Sequence, residues 1–179
     1  VIGCARKPMT SPEKLANNIY FHSLVIPKSG WMSSLYYGCS AKIKALCNTL
    51  QPDLVHGQGT ERDCAITAVR SGFPNVVTIH GNVKELQRLG MFGTSLYGPM
   101  ASWLESHSLH RTYGVLCNSD YTRGLVAPRA RRTWLAPNAI RSEFFQPATN
   151  TKRCSIPTLV NVGVVGPRKR QLELLRMIK

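Results

Sequence analysis

The sequence predicts an α/β protein built on a Rossmann-like parallel sheet with flanking helices. Three observations carry that expectation. Short apolar runs rich in β-branched residues recur along the chain, as in "VVTI" at 76–79 and "GVLC" at 114–117. Segments with apolar residues at helical spacing separate them. The loops that follow the strands ("HGQGTE", "HGN", "NSDYT", "PNAI" and "VGPRKR") collect Gly, Asn, Ser, His and cations, whereas the strand starts do not. Open parallel sheets bind ligands outside the carboxyl ends of their strands, so this asymmetry marks where a site would lie.

Taken in order, "NIYFHSLVI" at 18–26 reads as a strand closed by Pro27 and Gly30. The next segment, 35–50, spaces Leu35, Cys39, Ile43, Leu46 and Leu50 as one helix face. "DLVH" at 53–56 is a short buried strand, and "TERDCAITAVRSG" at 60–72 is a helix with Thr60 as its N-cap and Gly72 at its end. A third strand covers 76–79. The stretch 95–113 is helical over most of its length, 114–119 is a strand, 120–128 a short helix and 131–140 a strand running into a turn. "PTLVNVGVV" at 157–165 reads as a last strand, followed by a helix rich in Leu and Arg. Strands and helices that alternate in this way make a parallel sheet covered on both faces.

Composition narrows the class. With 179 residues, 43% hydrophobic and 18% charged, the chain has the make-up of a folded globular protein. No apolar run approaches the ~18 residues that span a bilayer. The opening "VIGCARKPMT" has no signal-peptide core and no initiator Met, which leads us to expect a chain that starts inside a longer product. Six cysteines form no CxxC pair and no zinc-ligand spacing, so they read as free thiols of a reducing cytosol. His107 and His110 lie three apart on a helix, a pair that is short of a ligand set, and no metal site is expected there. Neither a G-x-S-x-G elbow nor a G-x-G-x-x-G fingerprint is present, which argues against hydrolase and dinucleotide chemistry. The outlier is charge. Lys and Arg total 23 against nine acids, a net +14, which favours anionic partners.

Four segments, in order and spacing, carry a resemblance. "PDLVHGQGTERDCAITAVRSGFPNVVTIHGN", "GVLCNSDYTRGLV", "WLAPNAIRSEFFQP" and "PTLVNVGVVGPRKRQLELL" resemble the landmarks of the retaining glycosyltransferases of family 4, which have the GT-B architecture of two Rossmann-like domains across a cleft. The resemblance covers roughly 50–179. It implies an N-terminal, acceptor-side domain over 1–147 that lacks its first strand and Gly-rich loop. A linker at 148–156 and the first βα unit of a nucleotide-sugar-binding domain at 157–179 would follow. The implied reaction moves a sugar from a nucleotide-sugar, such as a UDP- or GDP-sugar, to a hydroxyl acceptor without a metal or other cofactor.

The resemblance also assigns residues. His80 falls where the family places a His beside the transferred sugar, and Lys169 where it places a Lys on the donor diphosphate; these two are the catalytic candidates. Gly163, Arg168 and Lys169 form the candidate diphosphate turn. A strand, a tight turn and a helix start present N–H groups and cations to a phosphate. Charge builds up on the departing diphosphate, and preorganised cations there stabilise the transition state. From their strand-end positions, Gln58, Gly59, Thr60, Glu61, Gly81, Ser119 and Asn138 read as acceptor-binding or cleft-lining candidates, with Gly81 allowing a ligand close to the backbone. A surface ion pair with a nearby Arg for Glu61, and a turn or cap for Ser119 and Asn138, are equally open readings. Two departures stand out. Val164 occupies the place of an expected Arg. No two of the six glutamates (13, 61, 85, 105, 143 and 173) show the family's eight-position separation. The 179-residue chain alone is therefore expected to be inactive.

The competing reading is a basic nucleic-acid-binding α/β module, suggested by the net charge and by "PRARRTW" and "GPRKR". Against it, no helix-turn-helix, zinc-finger or RNA-binding signature appears, and the aromatics fall inside apolar stripes. The expected location is cytoplasmic; peripheral contact at the inner face of an anionic membrane through "AKIKALCNTL" is weighed beside the simpler reading of that weakly cationic segment as a core-facing surface helix.

Overall fold

The structure, a computed structural model, describes residues 1–8, 13–146, 156, 158–166 and 169–178. The chain divides into two compact units, Val1–Ala139 and Ile140–Lys179.

The first unit carries two sheets. Strand β1 (Ile2–Ala5) pairs in parallel with β3 (Ile19–Val25), and β2 (Glu13–Ala16) pairs antiparallel with the other edge of β3. The β2–β3 turn is made by Asn17-Asn18, with Asn18 at φ 64°. Asn tolerates that left-handed backbone better than most residues. The second sheet is wholly parallel: β4 (Val55–Gln58), β5 (Asn75–Ile79), β6 (Gly114–Cys117) and β7 (Thr133–Leu135) lie side by side in chain order. Parallel neighbours need a crossover. Helix α2 (Cys64–Arg70) links β4 to β5, α3 (Val83–Arg88) and α4 (Tyr97–Arg111) link β5 to β6, and α5 (Asp120–Val126) links β6 to β7. Helix α1 (Tyr37–Leu50) precedes β4.

Two apolar clusters fill the unit. One gathers Ala65, Val77, Ile79, Leu109, Val115, Cys117 and Val126 against the parallel sheet. The other gathers Ile26, Tyr36, Cys39, Ile66 and Leu104, with Cys4 and Leu24 of the small sheet packed on it. Adjacent residues on α2, Ala65 and Ile66, fall in different clusters, so that short helix sits between both halves of the core. Its seat on β4 depends on Gly57. A Cβ there would come within 2.8 Å of the Cys64 carbonyl and 3.1 Å of Ala68 Cβ. This α/β arrangement, a parallel four-stranded sheet with helices around it, is the one expected from the sequence.

Three local expectations change. Helix α2 starts at Cys64 with Asp63 at the N-cap position, not at Thr60. The Thr60 hydroxyl is drawn instead to Glu105 of α4, a charged acceptor. The segments β2 and α3 were not expected, being too short for their periodicity to register.

In the second unit, α6 (Gln171–Met177) forms where a helix was expected. The apolar run before it forms no strand: the described residues 158–166 enter no ladder, and Val162, Val164 and Val165 are at least 85% exposed. A strand is stable through its neighbours, and none of the described residues of this unit pairs with it. The expected linker, 148–156, lies almost wholly outside the described residues, as do Pro157 and Arg168.

Candidate active site

The carboxyl ends of β4 and β5 bring together most of the expected acceptor-side residues. Glycine 59, at φ +94°, turns the chain out of β4, and its N–H donates to Thr78 O of β5 at 2.8 Å. The loop that follows is held from several sides. The buried hydroxyl of Thr60 donates to Glu105 Oε2 at 2.8 Å and approaches Gly81 O at 3.2 Å. The carboxylate of Glu61 accepts from the Gly81 N–H at 2.7 Å, and Tyr97 of α4 donates its hydroxyl to Glu61 O at 2.9 Å.

These contacts give two of the candidates partners within the fold. The Glu61 carboxylate bridges the two strand-end loops. The space beside Gly81 was reserved for a ligand. It holds Glu61: a Cβ at Gly81 would meet Oε1 at 2.8 Å, and one at Gly59 would meet Oε2 at 2.6 Å. The two glycines make room for one carboxylate.

His80 is exposed at the end of β5, and its Nε2 donates to Gln58 Oε1 at 3.0 Å. The Gln58 amide nitrogen lies 3.4 Å from the ring nitrogens of His56, and His56 Nε2 is 2.7 Å from Thr78 Oγ1. A polar chain therefore runs Thr78–His56–Gln58–His80 across the two strands. It fixes the His80 ring and its tautomer through Gln58. Burial, and then the charge of His80, hold the His56 pKa below its ordinary value. In a β-strand, residues two apart share a face, so the "HGQ" spacing could have flagged His56 as a partner of Gln58.

Sequence reasoning also missed Glu105. It is 1% exposed on α4, yet every side of its carboxylate is satisfied. Oε2 accepts from Thr60 and from the Val83 N–H at 2.8 Å; Oε1 accepts from the Lys84 N–H at 3.2 Å and from Arg129 Nη1 at 2.9 Å. Arg129 continues to Asn82 Oδ1 at 3.3 Å, and Asn82 caps α3 by accepting from the Glu85 N–H at 2.9 Å. A buried carboxylate in the middle of an apolar helix stripe carries no signal in sequence, because its partners come from three other segments. Beside this network a cleft of about 420 Å³ opens, edged by Asn82, Lys84, Arg88 and Arg129.

Within the first unit, Ser119 and Asn138 are not brought into this cluster. Ser119 caps α5, accepting from the Thr122 N–H at 3.2 Å, and Asn118 accepts from the Thr122 hydroxyl at 3.0 Å. Asn138 is exposed beyond β7. In the second unit, Lys169 is exposed and its N–H closes a turn onto Gly166 O at 3.0 Å, with its side-chain carbons about 3.6 Å from where a Cβ on Gly163 would stand. Gln171 braces that turn, accepting from the Gly166 N–H at 3.2 Å and donating to Val164 O at 3.1 Å.

No helix among the described residues is long and apolar enough to cross a membrane. No curated protein matches the chain. The sequence model described as Glycosyltransferase Family 4 matches residues 1–144, most of the chain and all of the parallel sheet. The protein belongs to glycosyltransferase family 4.

Proposed function

We propose that the protein serves the transfer of a sugar, with retention, from a nucleotide-sugar such as a UDP- or GDP-sugar to a hydroxyl acceptor, with no catalytic metal. The family assignment supports a glycosyltransferase; the finer reading rests on how the strand ends are furnished. The carrying observation is His80, exposed at the mouth of the parallel sheet and held by Gln58. In this reading His80 faces the transferred sugar, and the Gln58–Glu61 loop offers polar edges to a hydroxyl-rich acceptor. The turn at Gly163–Lys169 supplies the donor side, where Lys169 neutralises charge on the departing diphosphate. Arg168 belongs to the same reading, outside the described residues. With no glutamate pair at the family's spacing in the sequence, the 179-residue chain by itself is proposed to turn over no donor.

Equilibrium binding tests this reading. Saturable one-to-one retention of a nucleoside diphosphate, weakened about tenfold by Lys169→Ala, is expected for loss of one charge-assisted phosphate contact. Failure to retain any nucleoside diphosphate, together with steeply salt-dependent binding to arbitrary DNA, would establish the nucleic-acid reading instead.

A second observation supports peripheral contact with an anionic membrane at the cytoplasmic face. A hollow of about 610 Å³ between α1, α2 and α4 is edged by Tyr37, Lys44, Arg70, Trp103, His107 and Arg111. Its lining contains three cations and no acid. Arg70 lies over the Tyr37 ring at 4.1 Å, and Trp103 stacks on His107 with centroids 5.2 Å apart. Aromatic rings beside cations suit an interface between apolar and anionic layers.

A further inference from the structure

The buried side of the Gly59–Asp63 loop holds a group of side chains that sugar transfer does not use. Cys4 from β1, Cys39 from the first turn of α1, and Asp63 just before α2 bring their ligand atoms within 4.8 Å of one another. Cys39 is fully buried and Asp63 is 7% exposed. The three elements are far apart in sequence, so no ligand spacing announces them.

Asp63 behaves unlike an aspartate at its position. An Asp at an N-cap ordinarily accepts from the helix N–H groups two or three residues on. Asp63 makes no such side-chain bond. Among the described residues no ion pair reaches its carboxylate either, because the four ion pairs present join Arg88, Arg123, Arg129 and Arg170 to other acids. The carboxylate is buried beside two thiols, and its side-chain hydrogen bond is to Cys4. A buried carboxylate is costly unless it is paired with a cation or coordinates a metal.

Two sulfurs and one carboxylate oxygen at this separation match the donor set of zinc-type cations. Those take Cys thiolates at roughly 2.3 Å and Asp oxygens at roughly 2.0–2.2 Å, so the ligand atoms need to close by about an ångström. We propose that Cys4, Cys39 and Asp63 form a binding site for a thiophilic divalent cation of the zinc type. Half-buried Cys4 leaves the fourth tetrahedral position to a water. Binding converts two thiols to thiolates: M²⁺ adds to two S–H groups and one carboxylate, and two protons leave to solvent. Without metal, burial first and Asp63 second hold the Cys39 thiol protonated, its pKa pushed up to about 11. Cys39 lies in the first turn of the 14-residue α1, whose positive dipole end favours the thiolate. The bound cation would tie β1, α1 and the start of α2 together and so fix the loop that carries Thr60 and Glu61. This site is independent of the sugar-transfer reading above.

The test is a titration of the reduced full chain with Co²⁺, followed by Zn²⁺. The proposal expects a thiolate-to-cobalt charge-transfer band that saturates at one equivalent, bleaches on Zn²⁺ addition and is accompanied by release of two protons. Cys39→Ser and Asp63→Asn should each weaken Co²⁺ binding at least tenfold. Half-buried Cys4→Ser provides the same comparison if Cys39→Ser fails to fold. Absence of the band in the wild-type chain would overturn the site. So would an undiminished band in both Cys4→Ser and Asp63→Asn, which would place the metal on other cysteines. Finding Cys4 and Cys39 joined as a disulfide in protein purified under reducing conditions would overturn it as well.

Discussion

Arg129 Nη1 reaches the fully buried carboxylate of Glu105 at 2.9 Å, and this pair joins α4 to the residues after α5 while closing the N-terminal end of α3. The two partners are not equivalent. Glu105 accepts from three further donors (Thr60, Val83 and Lys84), whereas Arg129 uses its guanidinium on Glu105, Ser106 and Asn82. Glu105→Ala strands a partly buried guanidinium and two buried donors, and should cost about 3–5 kcal/mol. Arg129→Met leaves the carboxylate its other donors and should cost about 1–3 kcal/mol. Urea unfolding of both variants gives the ranking, and equal costs would contradict the account.

Glu61 and the glycines on either side of it should be energetically coupled. Gly81→Ala places a methyl against Oε1 and breaks the N–H bond that the carboxylate accepts, a loss of about 1–3 kcal/mol. In an Glu61→Ala background the same methyl has room, so Gly81→Ala should then cost only a few tenths of a kcal/mol. A double-mutant cycle on thermal or urea unfolding reads the coupling directly. Additive costs would show that the carboxylate does not occupy that space.

Stability should fall on acidification. His56 and His107 both have pKa values below the ordinary 6.5 in the folded protein: burial is the larger cause for each, followed by His80 for the former and Arg111, Arg70 and His110 for the latter. The unfolded chain therefore takes up protons first as pH drops. The contribution of these neutral imidazoles is complete above pH 6.5 and is lost as pH falls below it toward the depressed folded values. Thermal midpoints measured from pH 7.5 down to about 5 should decline, and His56→Gln should flatten that decline. A slope unchanged by the substitution would assign the acid sensitivity elsewhere.

Contact with anionic membranes should depend on the hollow between α1, α2 and α4. Lys44→Gln and Arg111→Gln should each weaken co-sedimentation with vesicles containing anionic lipid about fivefold, the effect of roughly 1 kcal/mol per cation near such a surface. Raising the salt concentration should weaken the wild-type protein too. Vesicles of neutral lipid provide the control, and equal binding to both kinds would exclude an electrostatic contact.

The parallel sheet was readable because its strands advertise themselves locally. "NVVTI" and "GVLC" are apolar and β-branched on both faces, as buried parallel strands are, and the helices between them keep a 3.6-residue period. Helix α3 was missed because six residues after Asn82 hold too little periodicity, although Asn82 followed by Glu85 is a capping signature. His80 and Gln58 could be placed at strand ends from their glycines. Their hydrogen bond could not, since it joins residues 22 apart whose meeting depends on strand register. Glu105 and the Cys4–Cys39–Asp63 group were illegible for the same reason carried further: each draws partners from three or more segments. The run at 158–165 shows the opposite failure. Its pattern is strand-like, but a pattern states only what a segment would do if a neighbour paired with it.

The Gly59–Asp63 loop is fastened through three of its side chains to four elements: Thr60 to α4, Glu61 to the end of β5, and Asp63 toward β1 and α1. Lids that swing over substrates need few anchors and low local stability. This loop has the contrary construction. It can serve as a fixed shelf whose shape is set before any molecule arrives, so that discrimination among acceptors would come from fit to a standing template and not from closure around the guest.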